Sequence, residues 1–198
     1  MIGAIAGDVI GSVFERFPIK STQFPLFSGL SRFTDDTVLT VAIADSILKK
    51  IDYATSLKTF GLKYPDSGYG ASFFRWIHST DSGPYNSWGN GSAMRVSPVG
   101  FAFDSIEDVL NEAKKSAEVT HNHPEGIKGA QATALAAFLA RSGKSKKVIK
   151  QEISERFAYN LDRTLDEIRP YYGASFKSVL EAQIFYRPQR LYLAGNSQ

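Results

Sequence analysis

The sequence predicts an all-α fold, and three observations carry that expectation. Apolar residues return at three- to four-residue spacing, as in Val38, Leu39, Val41, Ala42, Ile43, Ile47 and Leu48. Several such runs follow a residue with a short oxygen-bearing side chain of the kind that caps helices: Thr34, Ser105 and Ser145. Strictly alternating segments are scarce, so strands have no evident place. A chain of 198 residues fits a single domain over 1–198 and is long enough to bury a substantial core.

The elements follow in order. Residues 2–16 form a Gly- and Ala-rich apolar helix in which Gly3, Gly7 and Gly11 share one face, as tight helix packing would require. Asp8 lies inside it and Glu15 at its end; a buried carboxylate there must be paired, hydrogen-bonded or bound to a metal. Residues 17–31 read as a loop, and Asp35 to Lys50 as a helix capped by Thr34. A short helix is expected over Tyr53–Lys63, a break at Tyr64–Gly70, and an aromatic helix over Ala71–His78 whose histidine faces the surface. Residues 82–100 are expected to be irregular; a loop this rich in Gly, Asn and Ser either contacts a phosphate-bearing ligand or merely connects. Ser105 and Asp108 resemble a capping box opening a helix to about Thr120. His121 and His123 interrupt the pattern and lack a third zinc partner, so hydrogen bonding at a ligand fits them better. Residues 126–141 read as a buried central helix, Ser145–Phe157 and Leu165–Arg169 as further helices, and the region around 177–186 as a last weak one.

Composition narrows the function. With 43% apolar and 22% charged residues the chain is an ordinary globular protein, not a disordered one. The net charge is only +3, and the basic run at 144–150 reads as a solvated helix start, so no nucleic-acid groove is expected. The absence of cysteine excludes disulfides, thiolate zinc sites and cysteine nucleophiles. No window approaches about 18 uninterrupted apolar residues, so no membrane span is expected. The start lacks a basic leader and has Asp8 in its apolar stretch, unlike a signal peptide, and a cytoplasmic setting is the expectation.

The most specific stretch is Arg32-Phe33-Thr34-Asp35-Asp36-Thr37. Acids in a first turn complement the exposed N–H groups and helix dipole, which is one sufficient account. Two consecutive Asp between two Thr also supply the hard oxygen ligands of Mg²⁺, Mn²⁺ or Ca²⁺, which is the other.

Five stretches together resemble the ADP-ribosylglycohydrolase family, of the dinitrogenase-reductase-activating glycohydrolase type. They are Gly3–Gly11 with Glu15, Phe33–Thr37, Gly89–Val96, Thr120–Ala130 and Asp166–Pro170, in family order and covering about residues 1–185, with an atypical tail over 186–198. The resemblance implies an orthogonal helical bundle whose cleft holds two divalent ions, Mg²⁺ or Mn²⁺, beside the ribose of an ADP-ribosyl group. It places Thr34, Asp35 and Asp36 among the metal ligands, with Asp8 at or just behind them. It gives Glu15, together with Asp36, the catalytic part, and lines the ADP-ribose pocket with Asn90, Gly91, Ser92, Met94 and His121.

The implied function is a metal-dependent hydrolase that removes ADP-ribose from a protein side chain or small molecule by N- or O-glycosidic cleavage. One departure is visible: the family's C-terminal Gly-Gly-Asp-x-Asp-Thr motif, a second ligand group, has no counterpart here. The chain is therefore expected to be a C-terminally shortened member. Asp35, Asp36 and Glu15 carry one charge fewer than two divalent ions need. One ion or two remains open, and so does an alternative: a weakly active or inactive relative that binds ADP-ribose or a partner protein, or completes its site from another subunit. Apolar surface is expected around residues 2–14 and 126–140, and with it a homodimer.

Overall fold

The computed structural model describes residues 1–168 apart from Arg16, Phe17, Lys20 and Ser82. The expectations for 169–198, the weak helix at 177–186 and the atypical tail among them, lie outside the described residues. Among those described, every regular element is a helix and none a strand. None of the helices is long and apolar enough to cross a membrane.

The first helix, α1 (Ile2–Gly11), stops short of the expected Arg16 and passes into a single 3-10 turn at Ser12–Phe14. The tight packing expected of its glycines is not found at two of them: a Cβ on Gly3 or Gly11 would meet nothing within 4 Å among the described residues. Helix α2 (Asp35–Lys49) begins where Thr34 caps it, with Thr34 Oγ1 accepting from the Asp36 N–H, and ends at Lys50 in the left-handed region. Helices α3 (Tyr53–Lys63) and α4 (Ala71–His78) follow as the sequence predicts, the former capped by Asp52. His78 is exposed, its Nδ1 2.8 Å from the Phe74 carbonyl.

The stretch expected to be irregular contains two short helices, α5 (Gly91–Met94) and α6 (Ser97–Ala102). Four to six residues hold too few apolar positions to show a helical period, although Pro98 in the first turn of α6 is a start signal. Helix α7 (Ile106–Glu118) has the expected cap, Ser105 Oγ accepting from the Asp108 N–H at 3.0 Å. Helix α8 (Pro124–Arg141) begins two residues early because Pro124 is fit for a first helical position and His123 caps it. Helices α9 (Lys146–Phe157), capped by Ser145, and α10 (Leu165–Ile168) complete the described chain.

The core has two parts with α8 between them. Val38, Leu39 and Ile43 of α2 pack with Leu57, Phe73, Trp76, Ile77, Val99 and Val109, and α8 adds Ala130 and Ala134. Its opposite side joins Ala132, Leu135 and Leu139 to Ile153 and Phe157 of α9. Helix α8 thus touches α5, α6, α7 and α9, and its alanines let those backbones approach. The apolar surface expected at 126–140 is accordingly not found, because seven α8 residues are buried. At the start of α1 Ile2 is 84% exposed, while Ile5, Val9, Ile10 and Val13 are half-buried.

The closest approach is at Gly100, where a Cβ would lie 2.6 Å from the Ala134 carbonyl oxygen and 2.7 Å from the Ala137 Cβ. Backbone cannot swing aside as a side chain does. Gly100→Ala is therefore expected to cost ~1–3 kcal/mol in denaturant unfolding, against a change near zero if α6 and α8 were loosely apposed.

Candidate metal and ligand site

Asp8 is the buried residue of α1, and it is buried because α2 satisfies it. Its Oδ2 accepts from the Thr34 N–H at 2.8 Å, the Thr37 N–H at 3.1 Å and the Thr37 hydroxyl. Its Oδ1 accepts from the Thr34 hydroxyl. Three donors saturate Oδ2, whereas one donor leaves Oδ1 with acceptor capacity. Thr34 gives its proton to Asp8 and takes the Asp36 N–H at 3.4 Å, which leaves its hydroxyl one lone pair.

Around that anchor three carboxylates converge. Asp8, Glu15 and Asp36 each offer one oxygen, and these oxygens lie within 4.8 Å of one another. Asp8 and Asp36 are 4% and 7% exposed, whereas Glu15, just past the 3-10 turn, is open to solvent. Anions this close repel, and a divalent cation relieves that repulsion. Carboxylate and hydroxyl oxygens are hard donors that suit Mg²⁺, Mn²⁺ or Ca²⁺, so the residues present fit such an ion without choosing among them. Asp35 is not one of the three: its N–H donates to the Ser67 carbonyl at 2.8 Å and its charge acts on Tyr69.

The other predicted residues gather around α5. Thr40, six residues and so ~9 Å of rise beyond Thr34, reaches the Met94 carbonyl at 3.5 Å and links the acidic end of α2 to this helix. Asn90 is helical (φ −80°, ψ −3°), and its carbonyl accepts from the Ala93 and Met94 N–H groups. The left-handed residue of the loop is Asn86 instead, at φ 52°. Ser92 turns inward and donates to the Gly126 carbonyl at 2.8 Å, while Met94 packs against the main core.

His121 is 5% exposed, with Nδ1 2.7 Å from Thr120 Oγ1. Its outer edge faces Gly91, where a Cβ would sit 2.9 Å from both Cε1 and Nε2. His123 serves the fold, accepting the Glu125 N–H at 3.1 Å.

Sequence reasoning passed over three residues here, and it read Thr37 only as an oxygen source beside the paired Asp, whereas its hydroxyl donates to Asp8. Thr120 is an ordinary threonine beyond a helix end until the fold brings Arg95 to it. Arg95 is wholly buried, and Trp88 stands half-exposed beside His123 with ring centroids 6.5 Å apart. The Gly- and Asn-rich context around Arg95 and Trp88 was a signal that the loop mattered, but not which side chains it would use.

Burial, with the Arg95 charge adding to it, pulls His121 down to about 3. The folded state therefore refuses a proton that the unfolded state takes near pH 6.5, so this contribution to stability is intact above about pH 6.5 and is lost as pH falls towards 3. The expected slope is at most ~1.4 kcal/mol per pH unit across that window. Urea unfolding between those limits checks it, and His121→Gln is expected to flatten that part of the profile.

The family model for ADP-ribosylglycohydrolase matches residues 1–194. ADP-ribosylhydrolase ARH3 of Mus musculus is 30% identical over 227 aligned residues, covering 97% of this chain and 58% of that protein. The Homo sapiens protein of the same name is 30% identical over 97% of this chain and 60% of its own length, and that of Gallus gallus 31% over 72% and 49%. The chain thus spans about three-fifths of the mouse and human relatives it matches. The match runs through every stretch that builds the acidic cluster and the α5 loop, and the chain belongs to the ADP-ribosylglycohydrolase family.

Proposed function

We propose that the chain is a metal-dependent hydrolase that releases ADP-ribose from a modified protein side chain or an ADP-ribose-containing small molecule. The observation that carries this reading is the convergence of Asp8, Glu15 and Asp36 at the capped start of α2, in a chain of this family. Asp36, the Thr34 hydroxyl and Asp8 Oδ1 would hold Mg²⁺ or Mn²⁺, with Asp35 near the edge of that group. When bound, such an ion polarises ribose oxygens and lowers the pKa of water.

The chain's own groups divide the remaining work. Asp8 fixes the first turn of α2, so the positions of Thr34 and Asp36 follow from it. Glu15, the exposed carboxylate of the three, is the one an incoming ribose and water meet first. Its carboxylate takes a proton from attacking water or faces the positive charge that develops at the anomeric carbon as the glycosidic bond opens. Asn90, Gly91 and His121 would supply polar edges for the rest of the ligand, with Trp88 a flat apolar surface near them. The described trio carries one charge fewer than two divalent ions, which favours a single well-held ion as a second reading, with ADP-ribose bound more readily than turned over.

Calorimetric titration with Mg²⁺ and with Mn²⁺, with and without ADP-ribose, separates these. Two ions tightened by ADP-ribose support hydrolysis; one ion with ADP-ribose binding and no turnover supports the second reading; no ion at any concentration overturns both. Asp36→Asn is expected to weaken ion binding roughly 10- to 100-fold while costing no more than ~1 kcal/mol of stability through the lost first-turn charge. Self-association through the exposed start of α1 belongs to the same proposal, and light scattering that stays monomeric at high concentration would remove it.

A further inference from the structure

We propose that Arg95 is a positioning residue that acts through Thr120 to hold the proton of His121 on Nε2, so that a neutral N–H donor faces the Gly91 loop. This deepens the reading above by assigning the donor on the recognition side of that site.

Arg95 is 0% exposed, and its known partners are all neutral: Nη2 donates to the Ser116 carbonyl at 3.1 Å and to Thr120 Oγ1 at 2.8 Å. Its Nε and Nη1 have no hydrogen-bond partner among the described residues. A guanidinium buried without a carboxylate is costly, and an aliphatic side chain would fill the space at less expense. Something other than packing therefore selects an obligate donor here.

The proton count shows what it selects. A guanidinium donates and never accepts, so Thr120 Oγ1 must spend a lone pair on Arg95. The same hydroxyl meets His121 Nδ1 at 2.7 Å, and of these two partners Nδ1 is the one acceptor. The one hydroxyl proton of Thr120 is then left for His121, and Nδ1 accepts it.

A neutral imidazole that accepts at Nδ1 carries its proton at Nε2. That atom lies on the edge facing Gly91, where any side chain would collide with it. Arg95 reinforces the arrangement electrostatically, because it stays cationic, pulled down only to about 10, and opposes a second charge on the ring. The ring is thus a fixed donor suited to an acceptor oxygen, such as the phosphate or hydroxyl of a nucleotide ligand.

The test is a long-range ¹H–¹⁵N correlation spectrum of the uniformly labelled full chain, which reports the protonation of each ring nitrogen. The chain has 3 histidines, and His121→Gln identifies the signal. The expected pattern is unprotonated Nδ1 and protonated Nε2 from about pH 5 to about pH 8. A proton on Nδ1, or a charged ring within that range, overturns the proposal.

Arg95→Met is expected to mix the tautomers and weaken ADP-ribose binding about tenfold, while Arg95→Lys, which still donates to Thr120, restores the Nε2–H form. A folded Arg95→Met with the wild-type tautomer overturns the role of Arg95. Thr120→Val interrupts the same relay where Arg95→Met does not fold, and an unchanged tautomer there overturns it equally. A correct tautomer in a chain that binds no ADP-ribose would sink the functional reading and leave this one standing.

Discussion

A single buried carboxylate holds the site together. Asp8 is nearly out of contact with water, and an ionised group there is tolerated only when it is hydrogen-bonded. Four hydrogen bonds hold it, three of them on Oδ2, and two come from backbone N–H groups at the start of α2, where the helix dipole also favours an anion. Helix α1 packs only lightly against the rest of the described chain, chiefly on α2. Its tie is therefore polar and local. Because Glu15 hangs from the turn that follows α1, the bond that seats Asp8 also fixes where Glu15 arrives. One acid acts structurally, and the approach of the other two depends on it.

The region around α5 is built by a different force. Helix α8 is buried through small residues, which let α5 and α6 approach until backbone meets backbone. Ser92 converts that approach into a hydrogen bond with Gly126, and Gly91 is left facing the edge of His121. Apolar packing and steric exclusion fix this region, whereas hydrogen bonds to a charge fix the acidic cluster. Thr40, reaching from α2 to the Met94 carbonyl, joins the two.

What the sequence revealed follows from the range of each interaction. Caps at Thr34, Ser105 and Ser145 act within three residues, so the starts of α2, α7 and α9 are legible from local chemistry. The start of α8 was displaced because Pro124 and a histidine cap are weaker signals than the Gly and Ala run behind them. Helices α5 and α6 escaped notice because so few residues cannot display a period. Asp8, Glu15 and Asp36 were visible as misplaced or paired acids, since charge in an apolar helix is conspicuous. Thr120 and Arg95 were not, because their contact joins segments distant in sequence, and Thr37 was visible beside the acids but not its bond to Asp8.

The two regions also differ in how they handle charge, and that difference bears on recognition. The acidic cluster gathers negative charge and suits a cation; beside α5, burial keeps His121 neutral next to a buried cation. Were the imidazole free to titrate, its charge and the direction of its donor would both change near neutral pH. A buried arginine with neutral partners prevents both. The cost of burying it then reads as the cost of holding one hydrogen-bond donor constant.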